Sequence, residues 1–173
     1  MRVVAGRFKG RTLHAPFGRG TRPTSDKVRE AIFSVLGDIE GFDVLDLFAG
    51  SGALGIEALS RGASAAVFVD TDEKAVAAIR RNLGAVGVEA PVQKRDALRY
   101  LSAADGRFEL VFVDPPYSSA PRMGESLSRL LPAVLLKDAL IVTESDKRAP
   151  LQLEFPLEFE RDYGDTRIRI HRG

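Results

Sequence analysis

The spacing of apolar and polar residues changes period several times along the chain. Near the start, RVVAG and RTLHA flank RFKG, two short alternating runs about a glycine-containing turn, and this predicts a β-hairpin. PFGRGTRPT follows as a loop rich in Gly and Pro. Ser25 or Thr24 can cap the next segment, where Val28, Ile32, Val35 and Leu36 share one face of a helix that runs to about Leu36. Gly37 and Gly41 bracket its exit.

From residue 43 the rhythm becomes strand, helix, strand, helix. DVLDLF reads as an apolar strand, ALGIEALSRG as a helix ending at Gly62, and AAVFVD as a second strand. Thr71 then caps DEKAVAAIRRNLGAVG, whose apolar positions recur at helical spacing. APVQKR is a weaker third strand, DALRYLSA a short helix, FELVFVD a strong fourth strand, GESLSRLLPAVL a helix and ALIVTE a fifth strand. Such alternation requires right-handed βαβ crossovers, hence an α/β fold with a mainly parallel sheet and helices on both faces. The tail differs: LQLEFPLEFERDYG and TRIRIHR alternate apolar with polar about a Gly-Asp turn. They predict an antiparallel pair that closes one edge and completes a seven-stranded sheet.

Composition narrows the class. At 173 residues and 45% apolar, the chain suits a single core, with the hairpin and loop of residues 1–24 read as an extension of a main domain over 25–173. No apolar run is long enough for a transmembrane helix, and the N-terminus lacks the apolar stretch of a secretory signal. The absence of cysteine excludes disulfides, thiolate metal sites and a cysteine nucleophile. A cytoplasmic protein is expected, a monomer by default, with no membrane and no metal. Net charge is only +1, yet residues 1–30 hold eight basic residues against Asp26 and Glu30, so that segment is +6 and the remainder −5. The asymmetry points to a polyanion-facing surface at one end, with Arg7, Lys9, Arg11 and Arg22 as candidate phosphate contacts.

Candidate chemistry gathers at the strand ends. In a doubly wound sheet, ligands bind outside the carboxyl ends of the strands. Those ends here carry Asp46, Asp70, Asp96 and Asp114, each a common turn residue alone but unusual together on one rim. Gly50-x-Gly52-x-x-Gly55 matches a dinucleotide fingerprint, but Asp46 just before it would repel a pyrophosphate. A carboxylate there suits a ligand with an ammonium group. Asp70 can accept bonds from ribose hydroxyls, and Asp96 from an exocyclic amine such as adenine N6. Together they point to S-adenosylmethionine.

A second stretch, VFVDPPYSS, sets Asp114, Pro115, Pro116 and Tyr117 at the end of a buried strand. Two prolines remove two backbone donors and stiffen the turn. Carbonyls and a carboxylate facing outward there make a poor anion site and a good acceptor for an NH₂ group. Tyr117 offers a ring on which a nucleobase can stack.

LDLFAGSG followed by DPPY resembles the class I S-adenosylmethionine-dependent methyltransferases, Rossmann-like enzymes that modify exocyclic amines of nucleobases. With RVVAGRFKGRTLHAP, TRPTSDKVREAIFSVL and the overall length, the whole chain resembles the RsmD family, the small-subunit (16S) ribosomal RNA guanine-N2 methyltransferases. The resemblance implies that Asp46 and the loop of Phe48, Ala49, Gly50 and Gly52 hold the methionine end of the cofactor. It implies that Asp70 binds the ribose and that Asp96 with the Ala97 N–H reads the adenine. Asp114 and the Pro115 carbonyl would receive the target amine, with Pro116 and Tyr117 shaping the pocket. Arg22 and Thr24 would approach the cofactor or the RNA. The implied partner is 16S ribosomal RNA, within an assembled or assembling small subunit. The pocket alone would equally accept adenine N6 or cytosine N4 of DNA, so a DNA methyltransferase is the alternative. An NAD oxidoreductase and a non-enzymatic RNA-binding module are rivals that Asp46 and the intact Asp-Pro-Pro-Tyr stretch argue against. His14 and His171 lie off the rim and are given no role.

Overall fold

The computed structural model describes residues 1–16, 25–104 and 106–173. Its centre is one seven-stranded sheet. The strands are β1 (Asp43–Leu47), β2 (Ala65–Asp70), β3 (Val92–Lys94), β4 (Phe108–Val113), β5 (Leu135–Asp146), β6 (Leu157–Tyr163) and β7 (Thr166–Arg172). The helices are α1 (Asp26–Leu36), α2 (Ala53–Ser60), α3 (Glu73–Val86), α4 (Ala97–Leu101) and α5 (Ala120–Leu130), the last running into a 3₁₀ turn over Leu131–Ala133. Strand order is β3-β2-β1-β4-β5-β7-β6. The first five strands are parallel, and β7 inserts antiparallel between β5 and β6. Strand order reverses between β1 and β4, so the crevice for a ligand lies over their carboxyl ends.

The central strands are buried on both faces, as parallel strands are when helices cover each side. Val44, Phe68, Leu110, Phe112 and Val142 face one core with residues of α1, α2 and α3. Leu45, Leu47, Val69, Val111, Val113 and Ile141 face the other, under α4 and α5. Side chains alternate along a strand. Asp46 therefore shares a face with Val44, and it lies level with Phe68 and Phe112 on the neighbouring strands. This carboxyl is thus built into an apolar layer.

Three expectations shift in detail. The N-terminal hairpin is short: one antiparallel bridge joins Arg2 to Thr12, with Gly6 and Gly10 at positive φ between them. It is fastened to α2, where the Val4 and Ala5 amides donate to the Glu57 carboxylate and the Phe8 amide to Ser60 Oγ. A methyl group on Gly6 would run into the Ser60 carbonyl, so only glycine lets the hairpin lie this close. Val3 and Leu13 enter the core with α1–α3. Second, Asp72 rather than Thr71 caps α3, its carboxylate accepting from the Lys74 amide at 2.9 Å. Asp70 accepts the Asp72 amide, and that bond shifts the cap one residue along. Third, residues 151–156 form no strand. Arg169, buried on β7, donates to the Leu151 carbonyl and the Gln152 side chain, holding that segment over the sheet as a cover. Among the described residues no helix is long and apolar enough to cross a membrane.

Candidate active site

The loop after β1 is the tightest backbone of the site. Phe48 has φ 60°, Gly50 φ 57° and Gly52 φ 76°. For glycine this is free, but for phenylalanine it stores about 1–3 kcal/mol of strain, which the surrounding structure must hold. Two anchors do so: the Ala49 amide donates to the Val69 carbonyl, and the Gly50 amide donates to Asp70 Oδ2 at 2.9 Å. Asn82, fully buried on α3, adds a third by donating to the Ser51 carbonyl while also exchanging bonds with the His14 backbone. Among the described residues a methyl on Gly50 would meet nothing closer than the Phe48 carbonyl oxygen at 3.9 Å, so none of them crowds its outer side.

Asp46 lies beneath this loop, only 2% exposed. Its Oδ2 accepts the amide of Gly55, in the first turn of α2, at 2.9 Å. A helix start normally offers such amides to an anion. Here the chain's own carboxyl already occupies one, which removes a seat that a pyrophosphate needs. Burial pushes the Asp46 carboxyl up to about 8; the Gly55 amide pulls it down, and the charge of Asp70 adds to the rise. A cationic group beside it would relieve this penalty.

Asp70 ends β2 with both oxygens engaged, Oδ2 by Gly50 and Oδ1 by Asp72. Each carboxylate oxygen has capacity for a further donor. Asp96 caps α4 through Oδ1, accepting from the Arg99 amide, and among the described residues no donor is seen on Oδ2. Ala97 follows as the first residue of α4, where helix geometry gives its N–H no partner within the helix.

Across the switch point, Asp114 follows β4 half-buried. Its carboxyl is held well above the usual carboxylate range, first by burial, then by the charges of Glu144 and Asp46. The Pro116 carbonyl is taken by the Ser119 and Ala120 amides that start α5. Among the described residues no donor reaches the Pro115 carbonyl. Tyr117 keeps 38% of its surface exposed while its hydroxyl bonds Thr166 on β7 at 3.0 Å, which pins the ring at the rim. The arrangement thus offers a buried acceptor for a cation, two acceptors for ribose and amine donors, and a carboxyl–carbonyl pair beside an exposed ring.

The structure brings Asp46, Phe48, Ala49, Gly50, Gly52, Asp70, Asp96, Ala97, Asp114, Pro115, Pro116 and Tyr117 to the carboxyl rim. Arg7, Lys9 and Arg11 lie exposed on the hairpin, with the Arg7 guanidinium 4.5 Å from the centre of the Phe8 ring. Arg22 and Thr24 lie outside the described residues. Glu144 of β5 is the rim residue that the strand-end reading passed over, although the same rule applied to ALIVTE ends on it. Asn82 and the Thr166 partner of Tyr117 left no signal in the sequence, since each acts across the fold.

The chain is similar to known proteins along almost its whole length. The family model described as Conserved hypothetical protein 95 matches residues 1–172. YlbH of Bacillus subtilis is 41% identical over 186 residues, covering 99% of this chain and 98% of its own. Ribosomal RNA small subunit methyltransferase D of Escherichia coli is 38% identical over 178 residues, covering 99% of this chain and 89% of that protein. The solved structure of yhhF from Escherichia coli superposes with a TM-score of 0.86 at 34% identity, covering 99% of this chain and 97% of that one. The α/β sheet is therefore that of the class I methyltransferases, and the chain belongs to the Conserved hypothetical protein 95 family, the RsmD family.

Proposed function

We propose that this chain is an enzyme that transfers the methyl group of S-adenosylmethionine to the exocyclic N2 amine of a guanine in 16S ribosomal RNA. The observation that carries the reading is the pairing, across the switch point, of a buried acid under a glycine loop with an Asp114–Pro115 acceptor pair. The cofactor fits what is present: among the described residues Asp46 has no cationic partner and nothing crowds the outer side of Gly50, and the rim acids match hydroxyl and amine donors. Asp46 and the loop of Phe48, Ala49, Gly50 and Gly52 would hold the methionine end, Asp70 the ribose hydroxyls, and Asp96 with the Ala97 amide the adenine.

When bound, S-adenosylmethionine supplies an electrophilic methyl group on a sulfonium. The chain's own residues prepare the nucleophile. A guanine NH₂ is weak because its lone pair is delocalised into the ring. Its two hydrogens would bond Asp114 and the Pro115 carbonyl, which favours a pyramidal nitrogen and strengthens toward the transition state. Pro115 and Pro116 hold that pair rigidly, and Tyr117 stacks on the base once it has left its helix stack. Receiving the methyl group from the sulfonium would leave the nitrogen cationic. Asp114, whose surroundings raise its proton affinity, takes the extra proton.

Residues 1–24 would form the RNA-gripping extension, with Arg7, Lys9 and Arg11 on phosphates, and residues 25–173 the methyl-transfer domain. A monomer acting in the cytoplasm on the assembled or assembling small subunit is the setting that suits one short basic arm. The relatives favour ribosomal RNA over the DNA alternative. The test is methyl transfer from labelled cofactor to unmodified small subunits, naked 16S RNA and duplex DNA in parallel. N2-methylguanosine in the RNA is expected. Label in DNA alone would overturn the substrate, and label in none would overturn the activity.

A further inference from the structure

Asn82 of α3 is fully buried, and the mechanism above does not use it. Its side-chain amide is fully engaged. The two Nδ2 hydrogens go to the His14 carbonyl and the Ser51 carbonyl, each at 2.9 Å, and Oδ1 accepts the His14 amide at 2.8 Å. His14 ends the returning arm of the N-terminal hairpin, and Ser51 lies in the glycine loop between Gly50 and Gly52. A second contact joins the same two segments: Ser51 Oγ donates to Met1 Sδ at 3.5 Å, at the start of the hairpin's first arm. The far end of the hairpin is fastened elsewhere, to Glu57 and Ser60 near the end of α2. The hairpin therefore runs along α2, whose 8 residues span about 12 Å. Its base meets the glycine loop at the carboxyl rim, and its tip, with Arg7 and Lys9, lies a helix length away.

We infer that Asn82 is a positioning residue that couples RNA binding to cofactor binding, by making the hairpin and the glycine loop one unit. The inference rests on the proposed function and deepens it. The loop is strained at Phe48, so it keeps its shape only while its anchors hold. One of those anchors is an amide that the hairpin itself orients. If the hairpin lifts, Asn82 loses two of its three bonds, among them the only one that its Oδ1 accepts in this arrangement. Nothing then fixes which way the amide faces, and the Ser51 carbonyl loses an aimed donor. Phosphates gripped by Arg7, Lys9 and Arg11 would oppose that lifting and keep the loop in the shape that receives the cofactor. Coupling between two sites is reciprocal, so a bound cofactor strengthens the hold on RNA by the same factor. Its sign is positive, because both ligands favour the docked hairpin.

The probe is S-adenosylhomocysteine, which has no methyl group to transfer. Affinity of the protein for unmodified small ribosomal subunits is measured by sedimentation with and without it. Affinity for the labelled probe is measured by equilibrium dialysis with and without subunits. In the wild-type protein each ligand should tighten the other by about tenfold. Asn82→Ala should bring that factor to about one. A loss of stability alone would weaken each ligand separately without changing how much one improves the other. His14→Pro, at an exposed position, removes the amide that Oδ1 accepts and should also reduce the factor; it decides the matter should Asn82→Ala not fold. His14→Ala keeps both backbone bonds and should keep the factor. A factor of about one in a wild-type protein that methylates the subunits would overturn the coupling and leave the proposed function standing, as would a wild-type factor in Asn82→Ala or His14→Pro. Failure of the wild-type protein to methylate the subunits at all would overturn both.

Discussion

Asp46 and Gly55 are nine positions apart and joined by a 2.9 Å hydrogen bond, the Gly55 amide donating to the Asp46 carboxylate. In the proposed function this one bond decides how the glycine loop is used. A dinucleotide site keeps the helix start open for phosphate. Here an internal carboxyl fills it from below, and the same carboxyl is left poorly compensated inside an apolar layer. In the proposed function the loop thereby serves a cation rather than an anion.

Cofactor affinity should depend on pH through Asp46. Its folded value of about 8 means that the ligand-free protein holds the carboxyl largely protonated at neutral pH, while an ammonium prefers the ionised form. Affinity for S-adenosylmethionine should rise as pH rises toward 8 and then level off. Stability of the ligand-free protein should move oppositely. From about pH 4 the unfolded chain ionises this group while the folded chain does not, so stability falls until about pH 8, where both are ionised. Asp46→Asn should flatten this group's contribution to both profiles and weaken cofactor binding by about 10²-fold or more. Calorimetric titration and thermal melts across pH 5 to 9, roughly the window these ionisations span, would show it. A flat wild-type affinity profile would count against the cation site.

Asp114→Ala should lower turnover by about 10²–10³-fold while cofactor affinity stays within roughly threefold, because the carboxyl acts on the amine and its proton. With the wild-type protein, the single-turnover rate should rise with pH as Asp114 loses its proton, since only the ionised form can accept another. Asp114→Asn should lose that rise. Parallel loss of cofactor affinity and turnover would place Asp114 in cofactor binding instead.

Gly55→Ala tests the packing that seats Asp46. A methyl there would overlap the Phe68 ring and come within 3.1 Å of Asp46 Oδ2. Overpacking of this kind costs about 1–3 kcal/mol. Thermal unfolding should drop accordingly, and cofactor affinity should fall further than stability alone explains. Wild-type stability in this variant would mean that α2 can lift off the sheet at little cost.

Reversing charge at Arg7, Lys9 and Arg11 together should raise KM for the ribosomal substrate and leave cofactor affinity unchanged. If all three touch phosphates, the slope of log affinity against log salt should become shallower by roughly 2–3. Equal KM and equal slope would make the hairpin a structural brace for α2, a part it already plays through Glu57 and Ser60.

Much of this protein is written in local pattern. The five parallel strands, the antiparallel pair and all five helices follow from the period of apolar residues, because periods of 2 and 3.6 are properties of the backbone alone. The acids at four strand ends follow too, since strand ends in an α/β sheet are where a chain can present polar groups without disturbing a core. What pattern does not contain is which of those groups meet. Asp46 reads in sequence as a strand-end acid like Asp96. Only the tertiary structure buries it under α2 and spends one oxygen on Gly55, while Asp96 stays at a helix start facing the rim. Tyr117 and Thr166 are 49 positions apart, and Asn82 reaches His14 across 68. Those pairings depend on β7 inserting between β5 and β6, and on the N-terminal hairpin folding back over the helices, and no local preference specifies either. Glu144 marks the boundary: its position at a strand end was legible in the sequence. Its place beside Asp114 was fixed by strand order, which sets distant carboxylates side by side because neighbouring strands pack about 4.8 Å apart.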